Sequence, residues 1–264
     1  MTDLLTPIDH AHAAMEATPL DDTARLRFYE RLADGEMFIL LAREATGDTV
    51  EPEIFALPDA SFVLVFDREE RLSQFVGLAA PYAALSGRAV ASMLAGQGIG
   101  LALNLDVAPS SILLPPEAVD WLNDTLGHGP SETHGTVEEV SPPGGLPEAL
   151  ITALDTKLAT AAGFARCAWL AGVRYEDSTR SHLLAFAGTA PGAETALARA
   201  VNEALVFSGI EAGSLDVVFI GDHDPLAASL TRVGLRFDLP EVESPARVER
   251  IAPGSDPDSP PILR

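Results

Sequence analysis

The chain has 264 residues, room for one large domain or two ordinary ones, and at 47% hydrophobic it can bury a sizeable core. Its formal charge is −22, from 17 basic and 39 acidic side chains. Such a surface repels phosphate backbones and anionic lipid, so neither nucleic acid nor a membrane surface is an expected partner. Lys157 is the single lysine and Cys167 the single cysteine. A P-loop ATPase needs a lysine after its glycines and a pyridoxal enzyme needs one for its Schiff base. Lys157 has no phosphate-loop pattern before it and falls in a helical stretch, so both classes are disfavoured. One cysteine allows no internal disulfide and no multi-cysteine metal site. The start, Met1-Thr-Asp-Leu-Leu-Thr-Pro7, shows no basic region and no long apolar run. A cytoplasmic location is the expectation.

Residues 9–32 read as helix, broken at Pro19-Leu-Asp-Asp22, where Asp21 or Asp22 can cap the second piece. There Ala24, Phe28 and Leu32 recur at four-residue spacing, one apolar stripe. Met37–Ala42 is a short apolar run of strand length. Residues 51–58 add an edge strand with prolines only near its ends. Residues 61–122 then read strand, helix, helix, strand, strand, helix. Ser61–Phe66 is apolar and β-branched, as in a buried strand. Asp67 is a candidate N-cap with Glu70 three residues on as a capping box. Gly96, Gly98 and Gly100 end a helix and enter a strand. A dinucleotide loop runs the other way, from strand into helix, so these glycines are read as a helix end and a tight turn. Leu114-Pro-Pro-Glu117 opens a helix carrying Trp121.

Residues 127–145 are rich in glycine, proline and acid and are assigned as a linker between a first domain, 1–126, and a second, 146–240. Leu146, Leu150, Ile151, Leu154 and Leu158 line one helix face. Two strands follow, 164–175 and 181–188, then a periodic helix over 193–207, a strand over 215–220 and a short helix over 225–233. This order suggests a small sheet with helices on one face. The acidic, proline-rich tail over 241–264 is read as loose. The fold class is α/β (α+β), two small mixed-sheet domains.

Chemistry-bearing residues are sparse. Asp222-His223-Asp224 follows a strand and could hold a metal or supply acid–base groups. Asp224-Pro225 is equally a helix start, with Asp as N-cap and Pro at N1. His10 and His12 are two apart and point to different helix faces. His128 and His134 fall in the linker, and His182 at a strand start reads as structural. Cys167 sits in an apolar strand pattern as a small core residue. No Gly-x-Ser-x-Gly elbow and no His-Glu-x-x-His is present. Tyr82 and Arg88, flanking a helix start, and Asn104 and Asp106, ending a strand, are the candidate rim of a binding cleft. Turn-making and helix capping explain the same four residues without function.

The stretch Phe62-Val-Leu-Val-Phe-Asp-Arg-Glu-Glu-Arg-Leu72 resembles the strand and helix of the SseB N-terminal domain. Gly98–Asn104 is similar to a later strand of that family, Leu113-Leu-Pro-Pro-Glu117 to its closing helix start, and Arg27–Leu41 to its opening helix and strand. Asp67-Arg68 departs from the Thr-Ser of many relatives, and either pair can cap a helix. Residues 164–237 resemble the SseB C-terminal domain, chiefly through Asp216–Ile220 and Asp222–Leu226. The resemblance carries over no catalytic residues. The expected function is a non-catalytic binding or regulatory module for a protein or small-molecule partner, without cofactor or metal. The alternatives are a metal-assisted hydrolase using Asp222, His223 and Asp224, or a secretion or chaperone accessory protein.

Overall fold

Short apolar runs separated by capped helices build two α/β units in the computed structural model, which describes residues 5–45, 47, 49–58, 60–127, 135–209, 215–221 and 223–241. The first unit runs α1 (Pro7–Ala17), α2 (Asp22–Asp34), β1 (Glu36–Leu40), β2 (Ile54–Ala56), β3 (Ser61–Phe66), α3 (Glu69–Val76), β4 (Tyr82–Ser86), α4 (Gly87–Leu94), β5 (Ile99–Leu103), β6 (Ile112–Leu114) and α5 (Pro116–Gly127). Its sheet has the order β4-β1-β3-β5-β6, with β2 also on β3. Only β3 and β5 are parallel neighbours; β1 is antiparallel to both β3 and β4.

Alternation along each strand sorts the side chains onto two faces. Ile39, Val63, Val65 and Leu103 pack with Phe28, Leu32, Val90, Leu94 and Val119 from the helices. Phe62, Leu64 and Phe66 pack on the other face with Leu72 and Phe75 of α3. Each such side chain, fully buried, contributes roughly 1.5–3 kcal/mol. The sheet therefore has several helices on one side and only the eight-residue α3 on the other. Gly87 sets the entry into α4: a Cβ there would stand 1.7 Å from the Leu32 carbonyl oxygen, so α2 and α4 close only around glycine.

The second unit runs β7 (Val137–Ser141), α6 (Glu148–Ala159), β8 (Cys167–Tyr175), β9 (Arg180–Ala187), α7 (Glu194–Phe207), β10 (Leu215–Ile220), α8 (Pro225–Val233) and β11 (Leu235–Asp238). Its sheet order is β10-β9-β8-β11, with β7 on β8. Leu150, Leu154, Leu197 and Val201 of α6 and α7 cover Leu170, Leu184 and Phe186. Leu226 and Leu230 of α8 pack with Trp169 and Ala185 on the opposite face. The two units share a seam: Phe207, at the end of α7, is 2% exposed and belongs to the core of the first unit.

Five expectations change. Asp67 does not cap α3; Arg68 is the N-cap, without a side-chain cap bond, because the Asp67 carboxylate is taken by Arg71. Tyr82–Ser86, read as the approach to a helix, is a strand. Its alanines carry no β preference, and pairing along all of β1 decides the conformation. Residues 137–141, placed in the linker, form β7: Val137 and Val140 are partly buried, and Arg174 of β8 pairs with Glu138 and Glu139. β11 was not anticipated; it closes the chain back onto Cys167–Leu170. Helices lie on both faces of the second sheet, α8 opposite α6 and α7, rather than on one. Residues 128–134 and 242–264 lie outside the described residues, as do His128 and His134.

Candidate functional site

Three polar regions stand out. At the C-terminal ends of the parallel strands β3 and β5, the start of α1, the start of α3 and the loop after β5 meet. Arg71 donates from Nη1 and Nη2 to the two Asp9 carboxylate oxygens at 3.1 and 2.5 Å, and from Nη1 to Asp67 at 2.8 Å. The Ser110 hydroxyl donates to Asp9 at 2.6 Å, and the Thr6 amide at 2.8 Å. The Thr6 hydroxyl donates to Asp67 at 2.5 Å. Asn104 accepts from the Asp67 amide and donates to Ser110. The local sequence prepares this. Thr6-Pro-Ile-Asp9 is a capping box that holds the Asp9 carboxylate at the helix start, and Arg71 lies one turn after Asp67.

Asp9 and Arg71 are 1% and 2% exposed. Burial alone would raise the Asp9 carboxyl, but the bonds from Arg71, Ser110 and Thr6 outweigh it and hold the group well below the usual carboxylate range. These acceptors are engaged from several sides, and Asn104 is fully buried among them. The arrangement ties α1, α3 and the strand ends together.

At the seam, Arg88 of α4 donates to both Glu203 oxygens at 3.0 and 3.2 Å and to Asp34 at 2.6 Å. Lys157 of α6 reaches Asp34 at 2.7 Å and Glu203 at 2.8 Å. Each base touches both acids, two residues come from each unit, and the ring closes. Arg88 is 39% exposed at its side chain, whereas Lys157 and Glu203 are buried. Glu30 of α2 lies beside them, 3% exposed, with Oε1 lacking a hydrogen-bond partner among the described residues. Burial raises its carboxyl, against the opposing pull of Lys157. A cavity of about 310 Å³ opens beside the ring, bordered by Thr160, Phe164 and Arg199.

The third region is the outer edge of β4. The Leu41 amide donates to Pro81 and the Gly87 amide to Gly35, so odd-numbered residues on this stretch face β1. Antiparallel alternation then turns the N–H and C=O of Tyr82 and Ala84 outward. Among the described residues β4 pairs with β1 alone. Tyr82, Ala84 and Ser86 are exposed on the face that α3 leaves open. The Tyr82 ring packs on Phe38 at 5.8 Å, and its hydroxyl is bound to Glu69, which raises the phenol.

The structure divides the four-residue cleft read from the sequence. Tyr82 and Arg88 lie at the two ends of the β4 edge, Arg88 one residue into α4. Asn104 is sealed in the Asp9–Arg71 network on the far side of β1 and β3. Asp106 is in the exposed turn that follows, at φ 56°, with its amide donating to Ser111. Of the acidic cluster, Asp222 lies outside the described residues, His223 is an exposed turn residue, and Asp224 caps α8 by accepting from Leu226. Among the described residues no group of three His, Cys, Asp or Glu is placed to hold a metal. A polar cleft of about 580 Å³ in the second unit is separate and contains Tyr175 bonded to Asp216 at 2.7 Å. Sequence reading missed Asp9, Arg71, Asp34, Glu203 and Glu30. The capping box at Thr6–Asp9 was the available signal for the first of these.

Two mixed sheets joined through a charged seam, with an open strand edge on the first, define a two-unit α/β protein. Residues 9–121 match the family model of the SseB protein N-terminal domain. No curated protein and no solved structure matches the chain. No helix among the described residues is long and apolar enough to cross a membrane.

Proposed function

We propose that the chain is a non-catalytic binding or regulatory module that captures an extended segment of a partner protein on the β4 edge. The observation that carries this reading is the outward backbone of Tyr82 and Ala84 on an edge strand with no paired neighbour outside it among the described residues. An unpaired edge offers main-chain donors and acceptors in strand spacing, and strand addition uses them for affinity. Proteins commonly blunt such edges with charge, proline or a bulge. Within Tyr82-Ala-Ala-Leu-Ser86 none of these is present. Tyr82 adds an exposed aromatic face at one end, and Arg88 bounds the other. The second unit, read as the SseB C-terminal domain, braces this surface from behind through the seam ring.

Ala84→Pro tests the reading, because proline removes an outward N–H while edge strands tolerate its fixed φ. In a pull-down from native extract, a partner held by the unaltered chain is expected to be missing from the Ala84→Pro protein. An identical retained set from both proteins would remove β4 as the binding edge.

A further inference from the structure

We infer that the segment added at β4 is a basic one, an extended stretch of a partner protein with arginine or lysine at alternate positions. This rests on the strand-addition reading above and adds the partner's chemistry to it.

The register fixes which side chains an incoming strand would meet. Glu36 stands opposite Ser86, Phe38 opposite Ala84 and Leu40 opposite Tyr82, so all six share one face. Side chains of an added strand that point to this face lie over Ala84, beside Tyr82, with Glu36 toward one end and Glu69 at the Tyr82 hydroxyl. Glu36 and Glu69 are both exposed. Guanidinium groups at alternate positions of the added strand meet Glu36 toward the Ser86 end, and Glu69 with the face of exposed Tyr82 at the other. The opposite face meets Ala83 and Leu85, which are partly buried against the main core, so the intervening positions suit small or β-branched apolar residues.

The cation just beyond the Ser86 end of this edge, Arg88, is already engaged by Asp34 and Glu203. The whole chain carries −22, a field that draws basic segments and opposes approach of a second copy of itself. Charge complementarity therefore selects a basic partner over self-pairing, although Tyr82-Ala-Ala-Leu-Ser86 would be sterically able to pair with its own copy.

The test uses the full chain and three short labelled peptides, each alternating valine with a second residue: arginine, glutamine or glutamate. Fluorescence anisotropy reads binding at low and high salt. The valine–arginine peptide is expected to bind roughly tenfold or more tighter than the valine–glutamine peptide, to weaken with salt, and to lose binding in Ala84→Pro. The valine–glutamate peptide is expected not to bind. A double variant, Glu36→Gln with Glu69→Gln, is expected to remove the preference for arginine while leaving the fold intact. Equal binding of all three peptides, lost in Ala84→Pro, would overturn the basic-segment inference and leave strand addition standing. Arginine-peptide binding that survives Ala84→Pro would overturn strand addition at β4 itself, and failure of every peptide to bind would overturn the inference directly.

Discussion

The Asp9–Arg71 network and the Asp34–Arg88–Lys157–Glu203 ring are built from the same chemistry and do opposite jobs. The first is sealed within one unit, and its acids are met by a guanidinium, hydroxyls and an amide. The second lies between units, keeps Arg88 partly in water, and has beside it a buried carboxyl, Glu30, whose Oε1 has no hydrogen-bond partner among the described residues. Buried ions are tolerated where every lone pair is engaged, and are costly where one is not. The first region therefore holds a fold together, while the second joins two folded units and is the softer of the two. The open β4 edge runs from Tyr82, opposite Leu40, to Ser86, opposite Glu36, and leads into α4, which carries Arg88 of the ring.

Breaking the sealed network should have the largest effect. Arg71→Met leaves Asp9 buried without its bidentate partner, and a loss of about 3–5 kcal/mol is expected in urea unfolding monitored at Trp121. Lys157→Met removes one base from the ring, but Arg88 still reaches both acids. The expected loss is smaller, about 1–3 kcal/mol, and should separate the unfolding of the two units into two transitions. Added salt should weaken the ring, through half-exposed Arg88, and leave the Asp9–Arg71 pair almost unchanged.

Acidity should divide the two regions in opposite directions. The Asp9 carboxyl is lowered from 3.8 in the folded chain, so its stabilisation is complete above that value and is lost as pH falls below it. The Glu30 carboxyl is raised from 4.5, so folding favours its protonated form. That contribution is present below 4.5 and is lost as pH rises through the raised value. Glu30→Gln should accordingly stabilise the chain near neutral pH, by up to about 1 kcal/mol, with the gain vanishing toward pH 4.5. Thermal melts of both proteins across this range would check it, and a constant difference at every pH would mean that Glu30 is already ionised at ease.

Much of this architecture was legible in the sequence, because apolar period and cap residues are local signals. The buried strand Ser61–Phe66, the broken N-terminal helix pair and the periodic helix ending at Phe207 could all be read that way. Strands whose conformation is imposed by a neighbour could not. β4 is alanine-rich and becomes a strand by pairing with β1, and β7 hides in glycine- and proline-rich surroundings. Of the four residues read as a cleft rim, Tyr82 and Arg88 flank the open edge, whereas Asn104 looks from its sequence position like a surface turn residue and is wholly buried. Charge pairs 62 or 115 residues apart, Asp9 with Arg71 and Arg88 with Glu203, leave no local pattern to detect.

Amide hydrogen exchange, resolved by residue across Tyr82–Ser86 in the free chain, tests the account most directly. Ala83 and Leu85 bond to β1 and should exchange slowly, while Tyr82 and Ala84 face outward and should exchange fast, becoming slow when the valine–arginine peptide is added. Slow exchange at Tyr82 and Ala84 in the free chain would mean that this edge is already covered, and would contradict the proposal that β4 is where the protein receives its partner.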